Sequence, residues 1–233
     1  MNLTNKIYSS YSKLALNIDT DSEQNFNYFD QELKKIDNLY EKKIIEIGYG
    51  KGFFLDWAKN SKLDIIGYEI NEDFHKHAEQ NHKVILGDGS NISKEVSEKF
   101  DLIILFDVIE HISKENLLNF FQNLNELLNK DGEILLRFPN GSSAAGLEYF
   151  NSDLTHFSFL NKRSLKMIAD INKLELVYYG NMERVKKFKS LRGKLFGRII
   201  YFFRDLIEYV YGNLYFGQKI PLDPNVVGVL KKN

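Results

Sequence analysis

Short apolar runs rich in β-branched residues alternate with amphipathic stretches from residue 43 onward. This alternation is typical of βαβ units, in which helices cover both faces of a mainly parallel sheet. The pattern predicts five strands, at Lys43–Ile47, Asp64–Glu69, Lys83–Leu86, Phe100–Phe106 and Glu133–Phe138. It predicts a helix after each of them, at Phe53–Asn60, Glu72–Gln80, Ser93–Glu98, Lys114–Asn129 and Asn161–Ile171.

Two later apolar runs, Leu174–Tyr179 and Val226–Lys231, predict an antiparallel hairpin at the edge of the sheet. The expected fold class is α/β, with a Rossmann-like doubly wound seven-stranded sheet that is mostly parallel and has an antiparallel last strand. The pair Asp131-Gly132 is expected to end the helix that begins at Lys114. We divide the chain into an N-terminal helical cap, a core, a basic helical insertion and a last edge strand, at 1–42, 43–180, 181–225 and 226–233.

The composition narrows the class of protein and its compartment. The chain has 233 residues, of which 43% are hydrophobic, enough for one main domain. Lys and Arg total 31 and Asp and Glu total 32, so no overall charge favours nucleic acid as a partner. The chain has no cysteine, which excludes disulfides and thiolate metal sites. No stretch has the length of a signal peptide or a membrane span, so we expect a cytoplasmic protein.

The first predicted strand runs directly into a glycine-rich turn at Glu46–Gly52, with the sequence EIGYGKG. Glycines at such a turn let a ligand approach the N-terminus of the following helix closely. A dinucleotide-binding fold needs a glycine at position 53, which is Phe here. A P-loop is excluded because the chain contains no G-x-x-x-x-G-K-[ST].

The turn resembles, in every position, the first motif of class I S-adenosylmethionine (SAM) dependent methyltransferases, D/E-x-G-x-G-x-G. The resemblance implies SAM as the cofactor, S-adenosylhomocysteine as the product, and Glu46 close to the cationic amino-acid part of SAM. It also implies that Glu69 accepts hydrogen bonds from the ribose diol and that Asp88 meets the adenine. The expected cofactor contacts are Glu46, Gly48, Tyr49, Gly50, Gly52, Glu69, Ile70, Asp88, Gly89, Ser90, Phe106 and Asp107.

The segment Phe106–Ile112, FDVIEHI, resembles the motif after the fourth strand in ubiquinone-biosynthesis-type O-methyltransferases and bacterial glycan methyltransferases. His111 is the first candidate base, because an alcohol must lose a proton and imidazole titrates in the useful range. The alternative is a His at a helix start that is bonded to backbone. Asp107, Glu110 and His111 have a spacing that can gather a divalent ion on one helical turn. Nothing else in the chain demands a metal, and we predict none.

A second candidate base lies in the segment after the fifth strand. The motifs RFPN at 137–140 and DLTH at 153–156 resemble methyltransferases of bacterial surface-polysaccharide gene clusters. Asp153 is close enough in sequence to orient the imidazole of His156 and raise its basicity. The alternative is an Asx-capped turn that introduces the helix near Asn161.

The insertion carries an uneven charge, because Arg184 to Arg204 contains eight bases and no acid. Apolar residues recur there at helical spacing, at Leu191, Leu195, Ile199, Phe202, Leu206 and Tyr209. Such a helix can rest on an anionic membrane, pack against a second subunit through residues 184–210, or bind a phosphorylated acceptor. Docking on its own domain is the simplest alternative.

These patterns lead to one main hypothesis, which is O-methylation of a sugar, nucleotide-linked or phosphorylated precursor of a bacterial surface polysaccharide such as capsule or O-antigen. The second hypothesis keeps the reaction but uses a small metabolite, such as a quinone precursor or a phosphoramidate-type modifier. The third is a SAM-fold partner or scaffold protein without turnover. Nucleic acid is not an expected partner.

Overall fold

The strands of the computed structural model, which describes residue 16 and residues 22–184 and 191–233, form one seven-stranded sheet. The strands are β1 Lys43–Ile47, β2 Asp64–Glu69, β3 Val84–Leu86, β4 Phe100–Phe106, β5 Leu128–Pro139, β6 Leu174–Asn181 and β7 Asn225–Lys232. Their order is β3-β2-β1-β4-β5-β7-β6. The first five pair in parallel, and β7 is antiparallel to both β5 and β6. The predicted Rossmann-like fold is confirmed.

Eight α-helices of the described chain surround the sheet. They are α1 Ser22–Glu32, α2 Phe53–Asn60, α3 Glu72–Ala78, α4 Ile92–Glu95, α5 Lys114–Leu127, α6 Ala144–Asn151, α7 Lys162–Ile171 and α8 Leu191–Phe216. Short 3-10 turns occur at Leu33–Lys35, Leu39–Glu41 and Ile109–His111. Within the described ranges, no helix is both long enough and apolar enough to cross a membrane.

Two details of the predicted sheet are wrong. The helix from Lys114 ends at Leu127 and β5 begins at the next residue, so Asp131 and Gly132 lie inside β5. There they form an irregularity in the pairing with β4, where Asp131 has a φ of +61°. The run at 226–233 is not an edge strand, because β7 lies between β5 and β6. Its six residues from Asn225 to Leu230 are all buried, as expected of an interior strand, and β6 forms the edge.

The two faces of the sheet are covered by different helices. One face packs against α5 and α7 through residues such as Phe121, Leu124 and Leu165. The other face packs against α1 and α2, where Phe29 of α1 stacks on Phe106 with 5.5 Å between ring centroids. The predicted N-terminal cap thus includes a helix that reaches the end of β4. Residues 1–15 and 17–21 of that predicted cap lie outside the described residues.

Candidate active site

The glycine turn after β1 has the left-handed backbone that its sequence predicts. Gly48 has a φ of +73°, and a Cβ there would lie 2.7 Å from a methyl carbon of Val108. The Gly48 amide donates to the carbonyl of Tyr68 at 2.8 Å. The Gly50 amide donates to the carboxylate of Glu69 at 3.0 Å. The turn therefore closes against the end of β2 and leaves no room for a side chain at position 48.

A cavity of about 570 Å³ opens at the carboxyl ends of β1, β2 and β4. This is the position at which doubly wound folds bind their ligands. The predicted cofactor residues in its wall are Glu46, Gly48, Tyr49, Gly50, Glu69, Ile70, Asp88, Gly89, Phe106 and Asp107. Gly52 and Ser90 are not in the wall, whereas His111 is. Phe29 and Arg137 also line the cavity, although the sequence motifs did not indicate either as a cofactor contact.

Glu46 is a buried acid in the wall of this cavity, with 3% of its surface exposed. Its Oε2 atom has no hydrogen-bond partner among the described residues. Burial, and then the nearby charge of Glu69, raise the pKa of Glu46 well above its usual range. A buried carboxylate oxygen with no donor is costly, and a cationic ammonium is the group that best relieves that cost. The cavity therefore fits the amino-acid end of SAM.

Glu69 is held by backbone amides at the end of β2. Its Oε1 accepts from the amides of Ile70 and Asn71 at 2.8 and 3.0 Å, and its Oε2 accepts from Gly50. Burial raises the pKa of Glu69, and these backbone hydrogen bonds oppose the shift. Because each carboxylate oxygen has two acceptor sites, this pre-positioned group can still accept hydrogen bonds from a diol.

Asp88 lies at the more open end of the cavity. Its Oδ1 accepts from the amide of Ser90 at 2.7 Å, and hydrogen bonds from Ser90 lower the pKa of the Asp88 carboxyl. Gly89 donates its amide to the hydroxyl of Tyr68 at 2.9 Å. Ser90 thus shapes the turn from outside the cavity wall, and its expected contact with the cofactor stays a prediction.

Asp107 forms an ion pair with Arg137. The Arg137 Nε atom lies 3.0 Å from Asp107 Oδ1, and its Nη2 contacts Oδ2. The guanidinium stacks between the rings of Tyr28 and Phe106, 5.0 Å from each centroid. Asp107 has a φ of +58° and precedes the 3-10 turn, so it does not share one helical turn with the residues that follow. Arg137 is a charged residue within the otherwise apolar end of β5, and this position is the sequence signal that could have indicated a site residue.

A chain of hydrogen bonds positions His111. Its Nδ1 lies 2.8 Å from the Thr155 hydroxyl and 3.2 Å from the Thr155 carbonyl, which identifies Nδ1 as the protonated nitrogen. The Thr155 hydroxyl in turn donates to Asp153 Oδ1 at 2.7 Å. Burial, and then the neighbouring His156, lower the pKa of His111. His111 is therefore neutral near pH 7, with Nε2 as its basic nitrogen.

The expected pairing of Asp153 with His156 is wrong. Asp153 accepts from the amide and hydroxyl of Thr155, while His156 donates from Nδ1 to the Phe150 carbonyl at 2.8 Å. The two residues stand on one tight turn, where the Asx hydrogen bonds turn the carboxylate towards Thr155. The ring of His156 packs edge-on against His111, with 4.7 Å between centroids.

Glu110 completes a cluster with the two imidazoles. It is 1% exposed, and its carboxylate has no hydrogen-bond partner on another described residue. Burial, followed by the charge of Asp107, raises the pKa of Glu110 well above its usual range. One ligand atom each from Glu110, His111 and His156 lie within 4.8 Å of one another. Within the part of the chain that the structure describes, these three residues, without Asp107, have atoms close enough together to bind a divalent ion.

Two arginines of the basic insertion, Arg184 and Arg204, are paired with acids. Arg184 Nε lies 2.7 Å from Asp223 Oδ2, and its other nitrogens pair with Asp205 and Glu208 at 2.9 and 3.2 Å. Arg204 also contacts Asp223. The acids that neutralise these bases follow Arg204 in the sequence. Arg184 and Arg204 are therefore neutralised within the chain, and the expectation that the eight bases of this segment bind a phosphorylated acceptor stays a prediction.

A family model described as a methyltransferase domain matches residues 22–179, which is more than half of the chain and contains β1 to β5 with the glycine turn. The chain is a SAM-dependent methyltransferase of this family. The enzyme has no match among curated proteins.

Solved structures confirm the fold of this methyltransferase at low sequence identity. A SAM-dependent methyltransferase from Archaeoglobus fulgidus is 20% identical with a TM-score of 0.65, and the match covers 91% of this chain and 95% of that one. The plantazolicin methyltransferase bound to S-adenosylhomocysteine is 17% identical with a TM-score of 0.59, covering 98% and 90%. The magnesium protoporphyrin IX methyltransferase from Synechocystis is 13% identical with a TM-score of 0.56, covering 91% and 80%.

Proposed function

We propose that this methyltransferase transfers the methyl group of SAM to an oxygen of a sugar, nucleotide-linked or phosphorylated precursor of a bacterial surface polysaccharide. The observation that carries the oxygen chemistry is the position of His111, a neutral imidazole in the wall of the cofactor cavity. The glycan acceptor is supported by the resemblance of the segment 137–159. We expect the reaction to occur in the cytoplasm.

The residues divide between holding the cofactor and activating the acceptor. Glu46, Glu69 and Asp88 would hold the amino-acid, ribose and adenine parts of SAM, which supplies an electrophilic methyl group when bound. His111 would take the proton of the acceptor hydroxyl on Nε2 as the new O–C bond forms, and the C–S bonding pair stays on sulfur. Thr155 and Asp153 keep the Nδ1 proton in place, so that Nε2 remains the acceptor. Proximity and alignment contribute more than the base.

The acceptor decides between the two enzymatic hypotheses. We propose to incubate the protein with SAM labelled in its methyl group and with nucleotide sugars, phosphorylated sugars and phenolic quinone precursors. Label in a sugar ether, lost in His111→Ala, supports the glycan version. Label only in an aromatic ether would sink it and leave the small-metabolite version. The scaffold hypothesis is set aside because the chain belongs to a family of methyltransferases.

A divalent ion is a second way to activate the same hydroxyl, and the closeness of Glu110, His111 and His156 favours it. An ion there would lower the pKa of a bound hydroxyl without a protein base. Activity that is abolished by a chelator and restored by Mg²⁺ or Mn²⁺ would support the metal. Activity that a chelator leaves unchanged would leave His111 as the base.

A further inference from the structure

The long helix α8 turns its polar side towards the protein. Glu208 is 1% exposed and accepts from the side-chain amide of Asn181 at 2.6 Å and from the Leu222 amide at 3.1 Å. Arg204 contacts Asp223, which is also buried. Gly212 is buried as well, and a Cβ there would lie 2.4 Å from the carbonyl oxygen of Gln218. A narrow and mainly polar strip thus fastens the helix to the rest of the chain.

The opposite side of α8 is apolar and faces solvent. It carries ten large apolar residues, each between 43% and 71% exposed, at Leu195, Phe196, Ile199, Phe202, Phe203, Leu206, Ile207, Tyr209, Val210 and Leu214. At ~100° of rotation per residue these positions cover an arc of roughly 180°. A helix that docks on its own domain turns its apolar stripe inward, but α8 has the reverse orientation. Exposed apolar surface of this extent indicates an interaction site.

The charges around this apolar arc select its partner. The acids of α8 are Asp205 and Glu208, which pair with Arg184, so the arc itself carries no acid. Arg192 and Arg198 are exposed near the first turns of the helix. Basic residues beside an apolar face with Phe and Tyr are the composition of helices that lie in a membrane interface. We propose that α8 docks this enzyme on an anionic lipid surface.

A lipid surface fits the arc better than a second copy of the chain does. A packed partner helix covers an apolar stripe about 100° wide, which would leave much of this arc in water. Two copies with parallel α8 helices would also bring Arg192 and Arg198 close to their own counterparts, whereas anionic head groups attract them. The lipid interface can cover the whole width of the arc at once.

The insertion that carries α8 joins the sheet at the edge where the cofactor cavity opens. The chain leaves for α8 at the end of β6, and it returns at Asn225, which pairs with Pro139 at the carboxyl end of β5. The cavity also opens at the carboxyl ends of the parallel strands. Both ends of the insertion that carries α8 therefore lie at the edge of the sheet where the cavity opens.

Flotation with vesicles tests this proposal without any need for turnover, so its result is independent of the proposed acceptor. We expect the protein to float with vesicles of phosphatidylcholine mixed with phosphatidylglycerol, and at least about tenfold less with phosphatidylcholine alone. The triple variant Phe202→Ser, Leu206→Ser, Leu214→Ser should lose at least about tenfold in partitioning. The double variant Arg192→Glu, Arg198→Glu should lose about as much, on the anionic vesicles only.

A matched control uses exposed apolar residues outside α8. Met167 and Ile171 of α7 are 58% and 60% exposed, and Met167→Ser with Ile171→Ser should float like the wild type. Equal thermal midpoints for all variants confirm that each one folds. The proposal is overturned if the wild type does not float with anionic vesicles. It is also overturned if sedimentation shows a wild-type dimer that the triple variant abolishes while vesicle binding is absent.

Discussion

The two sides of the cavity are built in different ways. The cofactor side consists of a tight backbone turn and of carboxylates at strand ends, where Glu69 is held by three backbone amides. The acceptor side consists of side chains from separate loops, with His111 held through Thr155, 44 residues further along the chain. Backbone contacts leave little freedom, whereas a side-chain relay can be rearranged by one substitution. We therefore expect the largest effect of a single substitution on the acceptor side and smaller effects on the cofactor side.

The largest expected effect is on the acceptor side. His111→Ala should lower kcat by about 10²–10⁴-fold, because it removes the proposed base. Binding of S-adenosylhomocysteine should change little. His156→Ala is the matched variant and should cost much less, since His156 does not line the cavity. Equal small losses in steady-state assays of the two variants would show that neither imidazole is the base.

The second largest effect is expected at Glu46. Glu46→Gln should weaken SAM binding in calorimetry by about 30-fold or more, because the cofactor ammonium loses a buried charged partner. The raised pKa of Glu46 means that burial disfavours its charged form, so the wild-type acid loses stability as pH rises above its unfolded value. The free energy of unfolding of the variant should therefore be higher than that of the wild type at neutral pH and equal to it in acid. If Glu46→Gln bound SAM as tightly as the wild type, Glu46 would not be the partner of the cofactor ammonium.

The third prediction concerns the pH dependence of the rate. The base form of His111 is lost as pH falls through its pKa, which burial and His156 place below the usual value. The rate should be constant around pH 7 and above. It should fall about tenfold per pH unit only on acidification below about 6.5. An acid limb centred above neutral pH in a kcat/KM profile would contradict a buried, neutral imidazole.

The fourth prediction compares two glycines of the same turn. Both have positive φ, but a Cβ at Gly48 would strike Val108 while one at Gly50 meets nothing within 4 Å. Gly48→Ala should therefore lose about 1–3 kcal/mol more unfolding free energy than Gly50→Ala. Denaturant titration measures the difference. Equal losses would show that the left-handed backbone, rather than the close approach of Val108, is what requires glycine.

The smallest effect is expected at the open end of the cavity. Asp88→Asn should weaken SAM binding by only about a few-fold, because the carboxyl is exposed to water. Ser90→Ala is the control and should bind like the wild type, since Ser90 lies outside the cavity wall. If Asp88→Asn weakened SAM binding as much as Glu46→Gln does, burial of the carboxylate would not determine the size of its contribution.

The placement of the proposed cofactor residues in the fold could be predicted from the sequence, and the contacts of the proposed acceptor residues only in part. Period and turn signals place Glu46, Glu69 and Asp88 at strand ends, and parallel strands bring such ends to one edge. The contacts of Asp153 could not be predicted in this way, because a local Asx turn directs its carboxylate to Thr155. Sequence spacing cannot reveal that the Thr155 hydroxyl, which donates to Asp153, also contacts Nδ1 of His111.

The remaining errors have the same physical origin. The neutralisation of Arg184 depends on Asp223, 39 residues away, so a count of nearby charges misses it. The Asp131-Gly132 pair is a turn signal that the structure uses for an irregularity within β5 instead of a helix end. The place of β7 inside the sheet follows from its burial on both faces. Each of these features depends on contacts between residues far apart in the sequence, whereas a local sequence pattern indicates only the structure of the residues around it.

Calorimetric titration of S-adenosylhomocysteine tests the central claim most directly, with wild type and Gly50→Arg side by side. Gly50 lines the cavity and has open space where a Cβ would project, so the long side chain of Arg should fill the cofactor site. We predict saturable binding with one site per chain for the wild type and none for the folded variant. Absence of binding to the wild type, or equal binding to both proteins, would contradict a SAM site at the glycine turn.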